Sequence, residues 1–270
     1  MLRRALVPSL EVLLFLLVFY ASLFFMPDML NSDGDLGRHI IVGNYILDTR
    51  TIPTEDVFSH TRYGAHLVLH EWLSEVVYAL AFRAAGLNGV AWLTALLLAT
   101  IYFVLAIGLR ALGVSAPLAF LAALVAYMTG AIHHLPRPHL FTLLLFTLFV
   151  LCIELFRRRA QQGAHNATPQ HVRFDVSRFT ALAFLIPITI LWANFNGAFV
   201  LAFFVLGIYI VGAILDREPR RLIIFFAFLV LAFLASFINP YGITLPQHVF
   251  GFMGNRFLVD NTVEYLSPNF

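Results

Sequence analysis

The stretch Asn31-Ser32-Asp33-Gly34-Asp35-Leu36-Gly37-Arg38-His39 follows the first long apolar segment and opens a polar loop that continues to Ser59. In a chain that is otherwise mostly hydrocarbon, this loop carries five acidic residues: Asp33, Asp35, Asp48, Glu55 and Asp56. An acid-rich loop directly after an apolar segment is typical of a membrane surface. We therefore expect the later segments to pack around this loop or to lead back to it.

Composition indicates an integral membrane protein. Of the 270 residues, 60% are hydrophobic and 12% are charged, and the mean hydropathy is +0.85. Soluble domains average about 45–50% apolar and about 25% charged residues. The single cysteine, Cys152, excludes a disulfide within the chain. All 17 basic residues are arginine, and a net charge of +2 without a basic stripe gives no indication of a nucleic-acid partner.

Apolar segments long enough to cross about 30 Å of hydrocarbon predict an all-α polytopic fold with about seven transmembrane helices. The segments are 7–26, 89–110, 116–132, 139–156, 179–195, 197–215 and 221–238. An eighth candidate, 67–85, carries Glu71, Glu75 and Arg83. A charge at the bilayer centre costs roughly 2.5–3.5 kcal/mol, so we interpret 67–85 as a helix at the membrane interface. We interpret 7–26 as a signal anchor that is retained.

Arginine placement predicts the orientation, because short arginine-rich loops stay in the cytoplasm. Arginines at the start of the chain put the N-terminus inside, and those of 157–178 mark a cytoplasmic loop. The chain must cross the membrane an odd number of times between the outer loop 28–85 and that cytoplasmic loop. Segments 89–110, 116–132 and 139–156 give three crossings, and 67–85 is not counted as a span because it would make them four. Segment 239–270 then begins another outer segment, and the outer face receives eight of the ten histidines.

Several motifs occur in a characteristic order along the chain: Asp33-Gly34-Asp35-Leu36-Gly37-Arg38-His39, Gly43-Asn44-Tyr45-Ile46-Leu47, Asp56-Val57-Phe58-Ser59-His60-Thr61, Glu71-Trp72-Leu73, Leu191-Trp192-Ala193-Asn194-Phe195-Asn196-Gly197 and Asn239-Pro240-Tyr241-Gly242. Their order and sidedness resemble the GT-C superfamily of membrane glycosyltransferases, which includes protein O-mannosyltransferases and aminoarabinose transferases. The resemblance is greatest to uncharacterised bacterial members. It implies a single transmembrane module over 1–270, whose outer loop 28–85 contains two juxtamembrane helices.

The chain departs from that superfamily in two respects. Members are longer and have more spans, so a fragment of a longer protein is one interpretation of this chain. Gly37 and Arg38 stand where the group usually has aromatic residues, and this difference bears on the substrate.

The resemblance implies transfer of a sugar from a polyprenyl-phosphate-linked donor to a lipid, glycan or protein acceptor, at the outer face of a bacterial inner membrane. Such a reaction needs a carboxylate as general base and cationic or hydrogen-bonding groups for the departing phosphate. Asp35, which precedes His39 by one helical turn, is the first candidate for the base, and Asp33 is the second. The structural alternatives are a helix N-cap for Asp33 and a first-turn acid for Asp35.

The other candidates would bind the phosphate or the sugar: Arg137, Arg38, His39, Asp56, His60, Glu71, His139 and Asn194. Arg137 leads them because a guanidinium holds a phosphate through two hydrogen bonds, and contact with lipid headgroups is its alternative. Asp56 can instead close a turn after Pro53. For Asn194 we favour a structural role in a turn with Gly197.

No motif requires a cofactor. A divalent cation is compatible with Asp33, Asp35 and Asp56, since hard cations prefer carboxylates, whereas the histidines around Arg137 lack a fixed ligand spacing. Two other functions stay open, namely a transporter or flippase of lipid-linked sugars and a non-catalytic truncated module. A transporter should carry inverted repeats and charges near the midplane, but here the charges cluster at one face.

Overall fold

The computed structural model describes residues 8–32, 34–165, 180–254 and 256. Within these residues the structure is helical, and an isolated bridge between Glu55 and His66 is its one β interaction. The helices are α1 (Leu10–Ser32), α2 (Leu36–Thr49), α3 (Trp72–Ala111), α4 (Ala116–Thr129), α5 (His139–His165), α6 (Thr180–Ala183), α7 (Leu185–Phe195), α8 (Leu201–Leu215), α9 (Pro219–Ala235) and α10 (Thr244–Met253). The predicted base Asp33 lies outside the described residues, as do most of the predicted loop 157–178 and the end of segment 239–270.

Three helical segments among the described residues are long and apolar enough to cross a membrane: Trp72–Ala111, His139–Gln161 and Gly197–Leu215. Shorter apolar helices cover Leu10–Phe25, Ala116–Thr129 and Thr180–Phe195. Large apolar side chains lie exposed along them, with Phe24 at 79% and Leu215 at 77% exposure. Soluble monomers rarely expose wide apolar areas, so the fold is compatible with a membrane protein.

α3 contains a sharp corner. Ala85 and Gly86 leave the helical conformation, and Gly86 has φ +60°. A Cβ atom on Gly89 would lie 1.9 Å from the carbonyl oxygen of Ala81, although eight residues of straight helix span about 12 Å. The helix therefore has two arms, 72–84 and 87–111, which agrees with the predicted separation of 67–85 from the span that follows it.

The first arm of α3 begins later than the sequence predicts. The helix starts at Trp72 instead of 67, because 67–69 has no regular secondary structure and is followed by a turn. The Leu67 N–H donates to the Thr54 carbonyl at 2.9 Å, beside the bridge between Glu55 and His66. The helical periodicity of a sequence gives no information about a hydrogen bond between distant residues. This hydrogen bond shortens the predicted helix by about one turn at its start.

Gly43 sets the distance between α2 and the first arm of α3. A Cβ atom at this position would lie 2.0 Å from the carbonyl oxygen of Glu75 and 2.7 Å from the Cβ of Ala79. The two helices therefore touch backbone to backbone. This contact holds the first turn of α2 beside the start of α3, where the polar residues of the loop gather.

Two hydrophobic cores support this arrangement. One contains buried side chains from α1 to α5, with Leu14, Tyr78 and Leu98 fully buried. The other joins α5 to α10 around Trp192 and Phe225.

Ion pairs on the arginine-rich side of the fold link Arg110 at the end of α3 to Glu11 at the start of α1, at 3.2 Å. Arg157 contacts Glu154 at 2.8 Å near the end of α5. The acid- and histidine-rich residues gather elsewhere, around the start of α2 and of α3.

Candidate functional site

A cavity of about 790 Å³ lies where the starts of α2 and α3, the α4–α5 and α7–α8 connections, and α10 meet. This volume is in the range of small-molecule sites, which is about 300–1,000 Å³. The titratable and amide side chains of the lining are Asp35, Arg38, His39, His70, Glu71, His133, Arg137, His139, Asn196 and His248. The cavity thus collects both cationic and anionic groups from distant parts of the chain.

Asp35 and Arg137 form an ion pair in this cavity. Asp35 is the N-cap residue of α2, but its side chain makes no capping hydrogen bond. Its Oδ2 lies 3.3 Å from Nη2 of Arg137, and the side chains are 54% and 21% exposed. The hydroxyl of buried Tyr78 donates to the carbonyl oxygen of Arg137 at 3.1 Å. The α4–α5 connection is therefore tied to α3 at the residue that pairs with Asp35.

A second group of charges joins α2 to the start of α3. The Arg38 guanidinium lies 3.0 Å from Oε2 of Glu71 and 3.3 Å from Oε1 of Glu75. The same Glu75 oxygen is 3.6 Å from Nδ1 of His39. Glu71 is the N-cap residue of α3 and Glu75 follows it by one turn, so both carboxylates face α2.

Glu75 stands out in this group because its side chain is fully buried. Neither of its carboxylate oxygens accepts a hydrogen bond from any residue that the structure describes. His39, which is 2% exposed, packs with its ring stacked on Tyr78 at 6.3 Å between centroids. A carboxylate without hydrogen bonds costs several kcal/mol of desolvation, and the Arg38 guanidinium, 3.3 Å from Oε1, offsets part of this cost.

Asn196 completes the surroundings of Glu71. Its Nδ2 donates to Oε1 of Glu71 at 2.9 Å, while its Oδ1 accepts from the N–H of Ala198 at 2.8 Å and caps a short 3₁₀ helix. A Cβ atom on Gly197 would lie 3.1 Å from Cδ2 of His70. The lack of a side chain there allows His70 to sit against the α7–α8 connection.

His248 brings α10 into the cavity. Its ring lies 5.7 Å from that of His70, measured between centroids. Burial lowers the pKa of His248, and the neighbouring His70 and His66 act in the same direction. His248 is therefore a neutral imidazole at neutral pH, which can donate one hydrogen bond and accept another.

The structure brings most of the predicted site residues to this one cavity: Asp35, Arg137, Arg38, His39, Glu71 and His139. Three predicted residues do not line it, namely Asp56, His60 and Asn194. The pairing of Asp35 with Arg137 joins two candidates that had been chosen separately, one as a base and one as a phosphate ligand.

Asp56 closes a turn, which was the structural alternative for it. Its Oδ1 accepts from the N–H groups of Phe58 and Ser59, both at 2.9 Å, and its Oδ2 accepts from the Ser59 hydroxyl at 2.5 Å. These hydrogen bonds from Ser59 and Phe58 lower the pKa of Asp56. The carboxylate is thus engaged in the loop's own structure.

Asn194 also has a structural position. Its Oδ1 accepts from the indole N–H of Trp72 at 3.0 Å, and its Nδ2 donates to the carbonyl oxygens of Ile190 and Ile238 at 2.7 and 2.9 Å. The side chain therefore ties together the start of α3, α7 and the segment that follows α9.

Sequence reasoning left Glu75, Asn196 and His248 out of the predicted site. The spacing of Glu71 and Glu75 was a usable signal, since residues four apart share a helix face. For Asn196 the usable signal was Gly197, which follows it and indicates a turn. His248 had none, because only the tertiary packing of α10 brings it near His70.

The fold and the site together define a helical protein, compatible with a membrane, whose polar cavity is lined by carboxylates, arginines and histidines. The chain matches no model of a known protein family, no curated protein and no solved structure.

Proposed function

We propose that this protein is a glycosyltransferase that moves a sugar from a polyprenyl-phosphate-linked donor to an acceptor hydroxyl at the outer face of a bacterial inner membrane. The observation that carries the proposal is the cavity in which the carboxylate of Asp35 meets the guanidinium of Arg137. A carboxylate for the acceptor proton and a guanidinium for the departing phosphate are the two groups that this transfer requires.

Asp35 acts as the general base and Arg137 as the main phosphate ligand. The donor phosphate competes with Asp35 for the guanidinium, so donor binding releases the carboxylate for the acceptor. The acceptor hydroxyl then gives its proton to Asp35 while its oxygen bonds to the anomeric carbon of the sugar. The bond from that carbon to the phosphate oxygen breaks, and its electron pair leaves with the polyprenyl phosphate. Arg38, whose side chain is 49% exposed, is a second cation for this phosphate.

A donor of this kind has a charged head and a long apolar tail, and α10 lies against a site for each. His248 and Phe252 line the polar cavity, whereas Phe250 lines an apolar groove of about 570 Å³. The other residues of the groove come from α8 and α9: Phe203, Phe204, Gly207, Ile208, Val211 and Leu229. The polyprenyl chain would lie in this groove with its phosphate in the cavity.

The proposal includes a membrane arrangement with seven crossings and a cytoplasmic N-terminus. Arginines in the predicted inner loops support it, as does the gathering of the acidic and histidine residues around one cavity. In this arrangement the cavity opens to the outer face, where lipid-linked sugars replace nucleotide sugars as donors.

The test is the variant Asp35→Asn in protein reconstituted into liposomes and supplied with a panel of polyprenyl-phosphate-linked hexoses and pentoses as donors, together with lipid, glycan and peptide hydroxyl acceptors. Release of polyprenyl phosphate is followed by mass spectrometry. Loss of a general base lowers turnover by about 10²- to 10⁴-fold. We expect Asp35→Asn to show this loss and to keep its binding of undecaprenyl phosphate, since Arg137 remains.

Asp48→Asn is the matched control. Asp48 also pairs with an arginine, Arg83 at 2.6 Å, and is 67% exposed, but it does not line the cavity. Its variant should turn over the donor at the wild-type rate. Full activity in Asp35→Asn, or no turnover of any donor by the wild type, would contradict the proposal.

A further inference from the structure

Three side chains that can bind metals converge where α2 meets α3. His39, Glu71 and Glu75 each offer one ligand atom, and these atoms lie within 4.8 Å of one another. Nδ1 of His39 lies 3.6 Å from Oε1 of Glu75. Two ligands of a tetrahedral ion with bonds of 2.0–2.2 Å lie about 3.4 Å apart. The spacing of this pair is therefore already that of a metal site.

The burial of these groups points to a cation in addition to Arg38. Glu75 is fully buried and His39 is 2% exposed, yet the two oxygens of Glu75 accept no hydrogen bond from the described residues. Arg38 approaches Glu75 to 3.3 Å and Glu71 to 3.0 Å. One guanidinium is thus shared between two carboxylates, and a buried carboxylate that accepts no hydrogen bond is costly.

We infer that His39, Glu71 and Glu75 bind one divalent transition-metal ion, such as Mn²⁺ or Zn²⁺. Two carboxylate oxygens and one imidazole nitrogen suit these ions, whereas Mg²⁺ and Ca²⁺ favour ligand sets made only of oxygen. The metal ion would stabilise the buried carboxylate of Glu75.

Arg38 competes with the metal for this position. Its guanidinium lies against both carboxylates and also 3.5 Å from Nδ1 of His39. Because its side chain is 49% exposed, it can swing into the cavity when the metal binds. A metal ion here would thus direct Arg38 toward a ligand in the cavity.

Neighbouring residues hold two of the three ligands, Glu71 and His39, in place, as expected for a metal site. Asn196 donates to Glu71 at 2.9 Å, and the His39 ring stacks on buried Tyr78. The hydroxyl of Ser74 donates to the carbonyl oxygens of Glu71 and Phe195, at 2.7 and 2.9 Å. These contacts fix the start of α3 against the α7–α8 connection.

The experiment titrates Mn²⁺ into the purified full chain in lipid nanodiscs after treatment with EDTA. Free Mn²⁺ is read by electron paramagnetic resonance, and Zn²⁺ and Mg²⁺ are then added as competitors. We expect one Mn²⁺ per chain, displaced by Zn²⁺ at lower concentration than by Mg²⁺. No sugar donor is present, so the result is independent of the proposed transferase activity.

Variants separate a metal site from a plain ion pair. Glu75→Gln and Glu71→Gln should each weaken Mn²⁺ binding at least about 10-fold. Changing a residue that only hydrogen-bonds to a metal ligand already reduces metal affinity by this factor. Glu71 is 15% exposed, so its variant serves if Glu75→Gln does not fold. Exposed Glu55 supplies the control Glu55→Gln, which should bind as the wild type does.

Arg38→Ala gives the sharpest distinction. A metal site gains affinity when its competitor is removed, so Mn²⁺ should bind this variant more tightly and raise its midpoint of thermal unfolding. If the cluster is only an ion pair, neither the wild type nor Arg38→Ala binds Mn²⁺ or Zn²⁺ stoichiometrically. That result, or unchanged binding in both glutamate variants, overturns the inference.

Discussion

Asn194 and Asn196 are two residues apart, yet the fold gives them different surroundings. Asn194 is 8% exposed, and its amide bonds Trp72 and two carbonyl groups. Asn196 reaches the cavity and bonds Glu71. Their order in the sequence could not distinguish these positions, because α7 ends between them and only the second side chain reaches the cavity.

His134 leads to a prediction about pH. It is 1% exposed, its Nε2 lies 2.9 Å from the hydroxyl of Tyr102, and its ring stacks on Tyr127 at 4.7 Å. Burial lowers the pKa of His134 from 6.5 to about 4, with smaller contributions from His139 and His133. Between these two values the unfolded chain holds more protons at this residue than the folded chain does. The protein should therefore lose stability as the pH falls from 6.5 toward 4.

The variant His134→Phe tests the cause of this loss, since it keeps the ring stacked on Tyr127 but cannot be protonated. A pKa difference of this size corresponds to about 3 kcal/mol across the whole window. Thermal unfolding in detergent, measured at steps from pH 7.5 to pH 4, should show a shallower decline for the variant. An equal decline in both proteins would mean that His134 does not carry the pH dependence.

Residues with local signals were the predictable part of the candidate site. Asp35 could be selected because it stands in an acid-rich stretch and precedes His39 by one helical turn, and Arg137 because a guanidinium can hold a phosphate through two hydrogen bonds. The contacts of Arg38 with Glu71 and Glu75 could not be predicted, since they depend on the closeness of two helix backbones at Gly43. Hydrophobic patterns show which residues are buried but not which polar groups meet across a helix contact.

At the scale of elements, the contact of α2 with α3 gives a prediction about stability. Gly43→Ala would place a methyl group 2.0 Å from the carbonyl oxygen of Glu75, so the two helices must separate. Overpacking of this kind costs about 1–3 kcal/mol, and we expect a lower midpoint of thermal unfolding. The separation should also draw Arg38 away from Glu71.

Gly37→Ala is the control within the same helix. A Cβ atom at Gly37 would meet nothing within 4 Å, and alanine is favoured over glycine in a helix by up to about 1 kcal/mol. This variant should unfold at the wild-type temperature or above it. Equal midpoints for Gly43→Ala and Gly37→Ala would show that α2 and α3 are less closely packed than the structure has them.

The helices themselves were largely predictable, and their ends were not. The described part of each predicted apolar segment is mostly helical, because long apolar runs form helices in which every backbone group is paired, although 179–195 is divided between α6 and α7. The start of α3 differs from the predicted one, because the Leu67 N–H is bonded to the Thr54 carbonyl and the helix begins only at Trp72. The length of an apolar segment also does not give the length of its helix. The predicted segment 116–132 contains α4, which has only 14 residues.

For the whole molecule, the distribution of charge is the feature that sequence and structure share. Ion pairs involving Arg110 and Arg157 lie along one side of the fold, while the cavity collects Asp35, Glu71 and the histidines. The sequence predicted such a separation from the arginine-rich loops alone. The sequence could not predict how deeply each charged side chain is buried. Glu75 is fully buried because α2 packs on α3.

The proposed orientation leads to the last prediction, which uses single cysteines in a Cys152→Ala background. Tyr63 is 75% exposed in the loop before α3, and Gln161 is exposed near the end of α5. A maleimide that does not cross membranes should label Tyr63→Cys in intact cells, because the proposal puts that loop outside. It should label Gln161→Cys only after the cells are permeabilised. The reverse labelling pattern would put the cavity on the cytoplasmic side. Nucleotide sugars are present there, so the argument for a lipid-linked sugar donor would no longer hold.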